Sequence, residues 1–338
     1  MQTVTLQTPG QFKYHQSDPD LTLHPGEALV RVHRIGVCGT DLHAYRGRQP
    51  FFTYPRILGH ELGVEVVALA EASTTVQIGD RCSVEPYLNC GHCSACRRGK
   101  TNCCVNLQVL GVHTDGGMRE YITLPTHKLH PSATLSYEQL ALVETLAIGA
   151  HAVERAGLTP DDTVLVIGAG PIGLSVIQFV QLAGVPLVVT DREESRLGFC
   201  RSQMGVTHTL PANEELATRL PDYLNGDLPT VVIDATGNPA SMLQAFEYLA
   251  NGGKLVYVGL FQGDVTFHDP MFHRKEVTLL ASRNALPATF TAIIRAMEAR
   301  QIDTTPWITH RSSLARLTDD FPGWLEPGSG VVKAIIEV

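Results

Sequence analysis

Positive charge is scarce in this chain. Its 338 residues carry 26 Lys and Arg against 34 Asp and Glu, a formal net charge of −8. That balance offers no basic face to a polyanion, so neither nucleic acid nor an anionic membrane is an expected partner. Missing too is a basic segment followed by an apolar run at Met1–Leu6, so no secretory signal is expected and the chain is placed in the cytoplasm. The stretch from Thr163 to Thr190 has 28 residues without a charge, long enough to imitate a membrane span. Gly168, Gly170, Pro171, Gly173, Gln178, Gln181 and Pro186 break it instead into strand, turn, helix and strand. An uncharged run is what a parallel strand covered on both faces requires. There is no internal repeat and no low-complexity segment.

What is present reads as two domains, since the length exceeds one ordinary core. Up to about residue 135 the chain is β-rich. Glu27–His33, Leu62–Ala68 and Arg81–Glu85 are short β-branched runs separated by Pro-Gly or Gly-Asp, the pattern of a partly open barrel. Ser136–Glu154 switches to helical spacing, with Leu140, Val143, Ala147 and Ala150 on one face. From Asp161 to about Arg283 strands alternate with helices: Val164–Ile167, Leu187–Thr190, Val231–Asp234, Lys254–Val258 and Val277–Ala281 are the strand candidates. Alternation of that kind predicts an α/β fold with a doubly wound parallel sheet. A helix at Thr289–Arg300 and a strand at Gly330–Ile336 follow, the strand expected to rejoin the first domain. The expected boundaries are 1–147 plus 288–338 for the first domain and 148–287 for the inserted one.

Eight cysteines stand in a chain with no expected secretory route, so metal ligation outweighs a disulfide framework. Cys90, Cys93, Cys96 and Cys104 suit a closed, tetrahedral, four-thiolate zinc site, with Cys103 able to replace Cys104 on spacing alone. Arg97, Arg98 and Lys100 beside them read as solvated counter-charges. A second constellation joins Cys38, in a glycine-flanked bend, to Gly59-His60-Glu61, 22 residues on. Thiolate, imidazole and carboxylate form a donor set that zinc accepts, and three protein ligands leave a catalytic position open.

Val164–Leu174 contains Gly168-Ala-Gly170-Pro171-Ile172-Gly173 between a strand and a helix. Such a turn brings a pyrophosphate to backbone N–H groups at a helix N-terminus. Asp191, eighteen residues past Gly173, is placed to accept ribose hydroxyls and to repel a 2′-phosphate, which favours NAD over NADP. Arg192 beside it could instead receive that phosphate; Arg196 is counted with the cofactor-binding residues.

Cys38-Gly-Thr-Asp-Leu-His43, Gly59-His-Glu61, the four-cysteine loop and the Gly168–Gly173 turn, in this order and at these distances, resemble the zinc-containing medium-chain alcohol/polyol dehydrogenases over essentially the whole chain. The resemblance implies a GroES-like barrel with an inserted Rossmann domain, two zinc ions per subunit, NAD, and a homodimer or homotetramer. It implies that Cys38 and His60 hold catalytic zinc. In the branch acting on sorbitol, threonine and related substrates the third ligand is a glutamate matching Glu144, or its place is taken by the one matching Glu61. Val143-Glu-Thr-Leu146 departs from that branch's Glu-Pro-Leu at Thr145. Thr40 and His43 match proton-relay positions, and Asp41 a carboxylate that orients a metal ligand.

The implied reaction is oxidation of a secondary hydroxyl of a polyol or sugar acid by hydride transfer to NAD. A threonine or simple-alcohol dehydrogenase is the alternative, and a non-enzymatic zinc and nucleotide binder a distant one. For the substrate pocket, Phe51, Phe52 and Tyr54 are wall candidates, or packing of the barrel rim. Glu85, Tyr87 and His113 are further lining candidates. Arg283 would suit a carboxylate and tips the expectation toward sugar acids.

Overall fold

The computed structural model describes residues 1–49, 52–224, 226–326 and 328–338. They form two compact units, one of residues 1–145 with 286–338 and one of residues 146–285. Phe51 lies outside the described residues.

The first unit is built on a seven-stranded sheet. Its strands run in the order Ile308–Ser313, Lys333–Glu337, Glu27–Gly36, Glu61–Leu69, Arg81–Val84, Leu129–Pro131, with Tyr121–Pro125 also paired to Glu27–Gly36. The C-terminal strand does rejoin this sheet: Ile335, Ile336 and Glu337 pair antiparallel with Gly36, Ile35 and Arg34. Alternate apolar residues of the two central strands, Val30 and Val32 with Leu62, Val64 and Val66, point into one fully buried core. Facing strands are in close register, Gly36 lying opposite Glu61. Gly36 has to be glycine, because a Cβ there would come within 2.0 Å of Glu61 Oε2. The absent side chain is what lets the Glu61 carboxylate lie across the neighbouring strand.

The second unit is a six-stranded, all-parallel sheet. Its order is His208–Pro211, Leu187–Asp191, Val164–Ile167, Val231–Asp234, Lys254–Tyr257, Thr278–Ala281. The central strands Val164–Ile167 and Val231–Asp234 are buried along their whole length, as a sheet covered on both faces requires. The sequence reading missed His208–Pro211. It is a four-residue edge strand that ends in proline, which edges tolerate and interiors do not.

The helix Tyr137–Ala156 differs from its expected one-sided pattern. Every residue from Leu140 to Ala147 is buried, whereas Ala150 is partly exposed. The apolar face predicted from spacing was therefore too narrow. Glu144 and Thr145 sit inside this continuous helix rather than in a loop. Threonine keeps the backbone N–H that proline would remove there. Among the described residues no helix is long and apolar enough to cross a membrane.

Candidate active site

Cys38 caps the short helix Gly39–Tyr45, and its backbone N–H donates to Asp41 Oδ2 at 2.9 Å. The other Asp41 oxygen faces His60 Nδ1 at 3.8 Å, and neither of these two buried atoms has a hydrogen-bond partner among the described residues. His60 opens the approach to the strand Glu61–Leu69. Ligand atoms of Cys38, His60 and Glu61 lie within 4.8 Å of one another. Glu144 is buried nearby and accepts a 2.5 Å hydrogen bond from the Tyr87 hydroxyl on Oε1.

Burial opposes a charged His60, yet Asp41, Cys38 and Glu144 outweigh it and hold the imidazole protonated well above its usual range. Burial raises the Asp41 carboxyl, against the pull of His60, and raises Glu144, again against His60 and with help from Glu61. Among the described residues Lys333 pairs with Glu61 alone, and acidic groups this crowded and this dry call for a further cation among them. Zinc fits the donor set on that ground, with thiolate, imidazole and carboxylate all within reach.

Thr40 and His43 lie on the same short helix, Thr40 half-buried and His43 exposed. Partial burial, with Arg46 and Arg48 nearby, lowers the His43 pKa below its usual value. An imidazole that gives its proton up easily can pass one on to water.

The four cysteines Cys90, Cys93, Cys96 and Cys104 form a second cluster within 4.8 Å. Cys93 and Cys96 sulfurs are 3.5 Å apart, Cys90 and Cys104 sulfurs 3.4 Å. Tetrahedral Zn–S bonds of about 2.3 Å would set about 3.8 Å between sulfurs, so the cage is close to size. The Cys96 and Val105 backbone N–H groups pull the Cys93 thiol down to about 6, favouring thiolate. Cys103 is exposed and stands outside the cluster, which separates the two neighbours that spacing alone left equal.

In the second unit Gly168 ends the strand Val164–Ile167 with φ +97°, a conformation suited to glycine. A Cβ on Gly173 would meet Gly168 O at 1.8 Å, so the helix Pro171–Ala183 starts in direct contact with the turn. Asp191 Oδ2 accepts from the Ala169 N–H at 2.7 Å and Oδ1 from the Glu193 N–H at 2.9 Å. Arg196 approaches Asp191 Oδ2 at 3.6 Å, and Arg192 is exposed. The carboxylate is thus braced against the glycine turn, with acceptor capacity to spare.

Several pocket expectations change. Glu85 is not a free lining group: it is fully buried, 2.5 Å from Lys128 Nζ and 3.3 Å from His130 Nε2. Tyr54 is tied to the helix through its hydroxyl, which donates to Ala44 O, and Phe52 packs edge-on against it at 4.9 Å. Both therefore serve rim packing. His113 Nδ1 accepts from the Val109 N–H at 3.1 Å. Arg283 is exposed just beyond the strand Thr278–Ala281. Two partners went unread in the sequence, Tyr87 on Glu144 and Lys333 on Glu61, since each contact joins residues far apart in the chain.

Residues 24–134 match the family profile "Alcohol dehydrogenase GroES-like domain", and residues 171–299 match "Zinc-binding dehydrogenase". The chain is 38% identical over 338 residues to an L-galactonate-5-dehydrogenase of Escherichia coli K12, covering 99% of this chain and 98% of that one. It is 33% identical over 319 residues to a sorbitol dehydrogenase of Bacillus subtilis, covering 92% and 90%. Among solved structures, a short chain alcohol dehydrogenase (rspB) of E. coli CFT073, complexed with NADH, superposes with a TM-score of 0.92 at 28% identity, covering 100% and 99%. With two family profiles spanning most of its length and relatives of this identity over nearly all of it, the chain belongs to the zinc-containing medium-chain alcohol/polyol dehydrogenases, enzymes that act on CH–OH donors with zinc and NAD(P).

Proposed function

We propose that this enzyme oxidises a secondary hydroxyl of a sugar acid or polyol to a ketone, with NAD as hydride acceptor. The carrying observation is the Cys38–His60–Glu61 cluster with Glu144 beside it: a donor set with two carboxylates and one thiolate is hard and polar, and suits a substrate that offers neighbouring hydroxyls. In this reading Cys38, His60 and Glu144 hold the catalytic zinc, with Glu61 as the alternate ligand, and Cys90, Cys93, Cys96 and Cys104 hold a second, structural ion. Asp41 orients His60 from the Nδ1 side, which leaves Nε2 for the metal.

Zinc bound there supplies Lewis acidity, of the kind that lowers the pKa of a bound water from about 15.7 to about 7. The substrate carbon loses a hydride to NAD and its hydroxyl loses a proton. Thr40 receives that proton on its hydroxyl oxygen as it gives up its own, and exposed His43 delivers one to solvent.

Sugar acids stand ahead of neutral polyols because an L-galactonate-5-dehydrogenase is among the relatives, at 38% identity. The test compares kcat/KM across aldonates, sorbitol, threonine and ethanol with NAD. Aldonates should exceed ethanol by at least about tenfold, within the range that matched polar contacts provide. Ethanol or a long aliphatic alcohol ahead by that margin would defeat the proposal.

Cofactor choice rests on Asp191 in the same reading. Losing two ribose hydrogen bonds in Asp191→Ala should cost about 1–3 kcal/mol, roughly ten- to a hundredfold in kcat/KM for NAD. NADP should be used better than before as the repulsion disappears. A wild-type enzyme that prefers NADP sinks this assignment and points to Arg192.

A further inference from the structure

Glu61 poses a problem that the metal cluster alone does not resolve. Its carboxylate lies within ligand distance of Cys38 and His60, so zinc could take it in addition to Glu144 and fill the position a substrate needs. Both of its oxygens are already engaged. Lys333 Nζ, on the C-terminal strand, donates to Glu61 Oε1 at 2.7 Å and Oε2 at 2.8 Å, and to Val37 O at 3.2 Å. Both residues are 1% exposed, so no water competes for either. The pairing is built into the sheet: Lys333 enters the strand that pairs beside Gly36, and the bare Cα of Gly36 makes the channel through which the carboxylate reaches it.

We propose that Lys333 is a positioning residue that holds Glu61 off the catalytic metal and so keeps one coordination position open to substrate. This rests on the catalytic zinc centre proposed above. Glu144, by contrast, has one oxygen engaged among the described residues, Oε1 by the Tyr87 phenol, and keeps the other for the metal. Charge supports the same division. Glu61, Glu144 and Asp41 are buried around the half-buried Cys38, and Lys333, donating to both Glu61 oxygens, is the cation that lets Glu61 remain there without binding the ion.

The test exchanges cobalt(II) into the catalytic position of the zinc enzyme and reads its visible absorption, which weakens as coordination rises above four; His60→Ala protein serves as the blank. Lys333→Met should release Glu61 onto the metal, weaken the cobalt bands and lower kcat/KM by about 10–100-fold. The double variant Lys333→Met/Glu61→Gln should recover the four-coordinate spectrum and most of the activity, which a merely structural role would not produce. Glu61→Gln alone should leave the spectrum unchanged, and this arm does not depend on Lys333→Met folding. A Lys333→Met protein with an unaltered spectrum and only a lower melting temperature overturns the proposal. So does a changed spectrum in Glu61→Gln, which would make Glu61 a resting ligand. If wild-type protein shows no absorption beyond the blank, the metal-centre reading itself fails and this one with it.

Discussion

Cys104→Ser is expected to strip one zinc ion per subunit and lower the melting temperature by roughly 10 °C, whereas Cys103→Ser should change neither. The contrast comes from geometry. Cys104 is buried with its sulfur 3.4 Å from that of Cys90 and accepts the Cys90 N–H, while Cys103 is exposed one residue away. Among the described residues none from 90 to 104 belongs to the barrel's apolar core, so the ion supplies much of the loop's folding energy; closed zinc sites in isolated peptides contribute about 10 kcal/mol or more. A serine hydroxyl is a far poorer zinc ligand than a thiolate, and three remaining thiolates would hold the ion weakly. Loss of the ion should spread beyond the loop. Asn89 Nδ2 donates to Cys96 Sγ at 3.7 Å while Asn89 Oδ1 accepts from Lys128 Nζ at 2.9 Å, joining the cage to the buried Lys128–Glu85 pair. Thermal unfolding with metal analysis reads both effects. A stable, fully zinc-loaded Cys104→Ser protein beside a damaged Cys103→Ser protein would reverse the ligand assignment.

His60→Ala should abolish turnover while leaving the fold and dinucleotide binding in place. His60 packs at the start of a strand whose core contacts are made by Leu62, Val64 and Val66, so the alanine variant keeps the residues that hold the sheet together. A bound zinc would take the imidazole in its neutral form, and without it Cys38 and one carboxylate remain as a two-point site. Losing the Lewis acid removes several kcal/mol of transition-state stabilisation, on the order of 10³-fold or more in kcat/KM. Steady-state kinetics beside an NADH-fluorescence titration separates loss of chemistry from loss of cofactor binding. Residual activity within about tenfold of wild type would remove His60 from the centre of the reaction.

How far these features could be read before folding depended on how local they are. The glycine turn at Gly168–Gly173, the four cysteines within fifteen residues, and the buried strands Val164–Ile167 and Val231–Asp234 are written in neighbouring residues, and pattern alone finds them. Cys38 and His60 are separated by 22 residues but announced by their flanking glycines and by resemblance. Lys333 is different. It lies 272 residues from Glu61, in a segment whose only visible signal is strand propensity, and nothing marks it as a partner until the C-terminal strand pairs beside Gly36. Glu85 misled for the same reason. Its partners Lys128 and His130 arrive from a turn and the strand that follows it, 43 and 45 residues away, and an acidic residue before proline reads as exposed when those partners are not in view. The helix Tyr137–Ala156 shows a third kind of gap: periodicity gives the direction of one apolar face, but not that its middle is enclosed on every side.

Zinc content measured on wild-type and His60→Ala proteins prepared side by side is the most direct test of a catalytic ion held at Cys38 and His60. Two ions per subunit in the wild type and one in the variant, with matching melting curves, is the predicted result. Two ions in both proteins, or a single ion in fully active wild-type enzyme, would contradict it.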